Sequence, residues 1–66
     1  MLPNLTVDEL AQATAAAFRI VAETLEADYG VDPNHIADRA EAKAHDYVAK
    51  KQDNVGNLLR IFLARV

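Results

Sequence analysis

The last twelve residues of this 66-residue chain, VGNLLRIFLARV at 55–66, constrain its fold more than any other stretch. Val55, Leu58, Leu59, Phe62 and Val66 recur at helical spacing and fall on one side of a helix, with Ile61 and Leu63 flanking them. At 3.6 residues per turn the apolar surface then wraps roughly 200° of the circumference. An amphipathic surface helix shows a stripe of about 100°. One neighbouring helix cannot cover so much, so the remainder calls for a second copy of the chain or a foreign partner. Size points the same way. A domain of this length buries only about 60% of its unfolded surface and usually needs disulfides, metals or oligomerisation for support. With no cysteine in the chain, disulfides and thiolate metal sites are excluded.

The segments before it read as two longer helices. Thr6-Val7-Asp8-Glu9 is a capping box, with Leu5 placed to staple onto Leu10. From there the spacing predicts a helix over 7–29, closed by Gly30. Its expected core face is Val7, Leu10, Thr14, Ala17, Phe18, Val21 and Leu25. Ile20 falls off that face and marks a possible second contact surface. Asp32-Pro33 starts a second helix over 33–51, with Ile36, Ala37, Ala40, Ala44, Tyr47 and Val48 as its apolar face. The short Gly30-Val31 link makes the two long helices antiparallel neighbours. Alanines 13, 17, 40 and 44 are expected to form a tight seam between them. Asp53 or Asn54 caps a third helix over 55–65, where Gly56 costs helix stability unless another backbone passes close.

Charge is uneven: residues 1–31 hold five acids against Arg19 alone, while 32–66 are nearly balanced, and the net charge is −3. That distribution does not suit an electrostatic nucleic-acid binder. No apolar run approaches the 18 residues of a membrane span, and no signal peptide is recognisable. Met1 followed directly by a fold start reads as a complete natural chain.

Candidate chemistry is sparse. There is no serine, no cysteine and no glycine-rich loop, so the only alcohol nucleophiles are Thr6, Thr14 and Thr24, besides the phenols of Tyr29 and Tyr47. Both tyrosines read as core or rim residues. His35 and His45 are too far apart on one helix to share a metal. Glu41 and His45, at i,i+4, read as a solvated pair, as do Arg19 and Glu23. A helix-turn-helix reading of the second and third helices fails on the recognition helix, which offers leucine, isoleucine and phenylalanine where base edges require polar groups.

The sequence therefore predicts an all-α protein: a single helical domain over 1–66, two long antiparallel helices plus a short apolar C-terminal helix, forming a helical-bundle oligomer. The expected function is that of a small non-enzymatic interaction protein in the cytoplasm, without cofactor or metal, that self-associates as a dimer and binds or scaffolds a protein partner. Its expected interface is Leu58, Leu59, Ile61, Phe62, Leu63, Val66 and Ile20. The alternative is a dimeric DNA-associated regulator touching phosphates through Arg39, Lys43, Lys50 and Lys51. A second alternative is attachment to a membrane surface through the last helix.

Overall fold

The computed structural model describes residues 4–64. Three helices make up four-fifths of them, with no strand among the described residues. They are α1 (Val7–Asp28), α2 (Pro33–Ala49) and α3 (Asp53–Phe62).

The helix starts follow from local chemistry. At α1, Thr6 Oγ1 accepts from the Glu9 amide at 3.1 Å, and Glu9 Oε1 accepts from the Thr6 amide at 2.9 Å. The expected capping box is therefore complete. At α2, the Asp32 carboxylate accepts from the Asn34 amide at 3.0 Å, with Pro33 in the first turn. Helix α3 differs from expectation. It begins at Asp53, two residues early, from Gln52, which makes no side-chain cap. Asp53 instead places its charge in the first turn, where the helix dipole favours an anion. The helix also ends at Phe62, three residues before the expected 65, where the Leu63 amide donates to the Leu59 carbonyl at 3.1 Å.

Two helix ends use non-glycine residues in the left-handed region. Tyr29 (φ 54°) closes α1 one residue before the expected Gly30. Lys51 (φ 63°) closes α2: the Gln52 amide donates to the Tyr47 carbonyl and the Lys51 amide to the Val48 carbonyl, the paired bonds of a Schellman turn.

Helices α1 and α2 run antiparallel. Asp28 meets His35, and four residues back along α1 Thr24 meets Arg39, four residues forward along α2. Helix α3 packs more extensively on each of them than they do on each other. Its Leu59 sits among Ala16, Ile20, Ile36 and Ala40, and its Val55 and Leu58 sit against Ala13. Alanines 13, 40 and 44 are buried as expected, but they make room for α3 and do not form a private α1–α2 seam. Ala17 is only half-buried, packed at the edge of the core cluster.

Gly56 explains itself here. A Cβ at this position would lie 2.8 Å from the Ala44 carbonyl oxygen and 3.0 Å from Val48 Cγ2. In an open helix Gly→Ala gains roughly 1 kcal/mol. Here the obstacle is α2 backbone, which cannot rotate away, so Gly56→Ala is expected to cost about 1–3 kcal/mol net, as other overpacking changes do. Urea denaturation measures it; a more stable variant would show that α3 does not press on α2 at this point.

Candidate functional site: an apolar groove between α1 and α3

The face that α1 buries is not the one its periodicity favours. Ala13, Ala16, Ile20 and Thr24 point inward. The greasier stripe of Val7, Leu10, Thr14, Phe18 and Leu25 is exposed, with Ala17 and Val21 half-buried along its edge. The helix is turned about 100° from expectation, one residue's worth of rotation. The physical reason is size. Leu59, Val55 and Leu58 of α3 already fill the space between the long helices, and only a row of small side chains lets α1 approach them.

This rotation leaves an open groove of about 590 Å³ along α1, closed on its other side by Phe62 and Leu63 of α3. Ala17 and Val21 form its floor; Phe18 and Leu25 form its outer wall. Phe18 is 77% exposed and Phe62 42%, so both phenylalanines of the chain lie outside its core. Among the described residues the large apolar side chains buried inside are Ile20, Ile36, Val55, Leu58 and Leu59. Contiguous exposed apolar rows of this kind are uncommon on monomer surfaces. Among the described residues no charged side chain lines the groove.

The expected interface residues separate into two groups. Ile61 and Phe62 are exposed and Leu63 is half-buried at the groove. Leu58, Leu59 and Ile20 are instead buried in the chain's own core, so they are unavailable to a partner, and Ile20 marks no second surface. Val66 lies outside the described residues. Phe18 and Leu25 belong to the exposed surface, and Val21 to its half-buried edge, although their spacing assigns them to the core. The signal for them was the alanine row one residue away, which offers a second, closer-packing face.

The polar groups are mostly occupied in holding the helices together. Thr24 is fully buried; its hydroxyl donates to the Ile20 carbonyl at 2.9 Å and accepts from Arg39 Nη1 at 2.6 Å. Arg39 also lies 3.5 Å from the Asp28 carboxylate. Of the four cations proposed to touch phosphates, Arg39 is thus engaged inside the fold, while Lys43 stands 5.8 Å over the Tyr47 ring. Lys50 and Lys51 are exposed at the α2 end. Arg60 Nε donates to Glu41 Oε2 at 3.1 Å, which ties α3 to α2. The Arg19–Glu23 pair expected along α1 does not close to ion-pair distance among the described residues. No cluster of three or more potential metal ligands occurs among the described residues. No described helix is long and apolar enough to cross a membrane.

Two carboxylates and a histidine are electrostatically displaced. The Thr6 amide, with Asn54 Nδ2 donating at 3.3 Å, lowers the pKa of Glu9. His35 Nδ1 stands 2.8 Å from Asp28 Oδ2, and this contact lowers the Asp28 pKa below 3.8 and raises that of His35 above 6.5, against a smaller opposing effect of Arg39 on the histidine. The histidinium contribution to stability is therefore complete below pH 6.5 and lost as pH rises through the higher folded value. The Asp28 contribution is present above pH 3.8 and lost as pH falls through its lower folded value. His35→Gln is expected to flatten the fall in stability on the alkaline side of pH 6.5. Thermal melts across pH 5–9 check this, and an unchanged slope would show that the pair does not form in solution.

Comparison with known proteins finds no family model, curated protein or solved structure that matches this chain.

Proposed function

We propose that this chain is a non-enzymatic helical interaction protein of the cytoplasm that self-associates and engages a protein partner through the α1–α3 groove. The observation that carries this reading is the exposure of both phenylalanines in one uncharged apolar row. Depletion of charge with aromatic enrichment is the mark of an interface core. Catalysis has little to draw on. The hydroxyls of Thr6, Thr14 and Thr24 are each held in local hydrogen bonds, at 3.1, 2.8 and 2.9 Å.

Among the described residues the polar flank of α1 beside the groove carries Glu23 and Glu26 with the single cation Arg19, a net acidic set that does not favour an anionic membrane or nucleic acid. An amide-resolved NMR dilution series tests the reading. Concentration-dependent shifts are expected on α1 from Thr14 to Leu25 and on Phe62, and not on Lys43, Lys50 or Lys51. Shifts confined to the lysines, or their appearance only with added DNA, would move the functional surface to α2.

A further inference from the structure

The groove's α1 residues are spaced so that the stripe is complementary to its own reverse. Thr14, Phe18, Val21 and Leu25 are separated by four, three and four residues, a spacing that reads the same in both directions. We infer that the groove's occupant is α1 of a second copy, running antiparallel about a two-fold axis between residues 19 and 20; this rests on the self-association proposed above.

In that register Phe18 faces the partner's Val21, Thr14 faces the partner's Leu25, and Ala17 faces the partner's Ala22. Every layer sets a large side chain against a smaller one, or two small ones together, as close packing requires. Spacing of 3.5 residues is that of a helix–helix seam. The helix dipoles favour the same direction: an antiparallel pair opposes them, where a parallel pair would align them.

The area is that of a weak, reversible pair. Leu10, Phe18, Leu25 and Phe62 are 42, 77, 52 and 42% exposed. At roughly 150–200 Å² for each such residue this offers on the order of 320–430 Å² per copy. Two copies give about 640–850 Å², within the range of weak and transient interfaces. A small apolar ligand fits this surface less well, because the stripe continues along the helix as far as Val7, beyond the pocket itself.

The absence of cysteine makes the register directly testable by disulfide trapping. Thr14→Cys and Leu25→Cys proteins are prepared separately and oxidised, alone and mixed. The expected result is a covalent dimer in the mixture at least tenfold more abundant than in either protein alone. Ala17→Cys with Ala22→Cys repeats the test with smaller changes to the seam. Covalent dimers from each variant alone would establish a parallel pair and overturn the inference. If wild type sediments as a dimer but neither mixture cross-links, self-association stands and the α1 seam is wrong. If wild type is a monomer, the self-association reading itself fails, and the inference with it.

Discussion

Phe18→Glu is expected to leave a folded, helical monomer whose self-association is weakened about 10²- to 10⁴-fold. Phe18 lies 77% exposed on the outer wall of the groove and contributes nothing to the packed cluster around Leu59. Burying one large apolar side chain is worth about 1.5–3 kcal/mol, and a two-fold interface counts it twice. The resulting 3–6 kcal/mol, at about 1.4 kcal/mol per tenfold, gives the stated loss. A charged carboxylate in the seam adds to it. Helical circular dichroism under dilute conditions should match wild type, while sedimentation separates the two proteins. If the variant unfolds even where wild type is monomeric, Phe18 belongs to the core and α1 is oriented as its periodicity alone would place it.

Leu59→Ala is expected to have the opposite character, destabilising each chain whatever its state of association. Leu59 is fully buried, between Ala16 and Ile20 of α1 and Ile36 and Ala40 of α2. Contacts from both long helices converge on it, and the small neighbours cannot expand to fill the space it vacates. Truncations of this kind cost about 2–5 kcal/mol. A chain of 66 residues has about 3–10 kcal/mol in total at typical stability per residue. The variant is therefore expected to be substantially unfolded at 37 °C, with a urea midpoint far below wild type. Ile61→Ala, on the exposed side of the same helix, should change the stability of the dilute monomer by no more than about 0.5 kcal/mol. Equal losses at the two positions would contradict the placement of α3 between the long helices.

The helices themselves were legible because their signals are local. Thr6 and Glu9 cap α1, and Asp32-Pro33 starts α2, through contacts within one turn of chain. The small face of α2 was legible too, since Ile36, Ala37, Ala40 and Ala44 are its only inward-facing stripe. Gly56 pointed correctly to a close backbone, which proved to be that of Ala44. The orientation of α1 was not legible from its hydrophobic pattern. Such a pattern ranks faces by greasiness and does not distinguish a chain's own core from a surface meant for a partner. The winning face carries Ala13, Ala16 and Ile20, with Thr24 made tolerable by two hydrogen bonds that depend on Arg39, fifteen residues away. That pairing, like Asp28 with His35, is set by how the helices dock and leaves no trace in the spacing of either helix. The exposure of Ile61 and Phe62 at the end of α3 was therefore legible, while Phe18 and Leu25 of α1, exposed beside them, read as core from their periodicity.

The most direct measurement on the central claim is sedimentation of the wild-type chain over a hundredfold range of concentration, up to the high micromolar. The groove account predicts a reversible rise from about one chain mass to two, with both limits equally helical. A monomer throughout that range, still folded and helical, would contradict self-association and assign the exposed row of Phe18, Leu25 and Phe62 to a different protein.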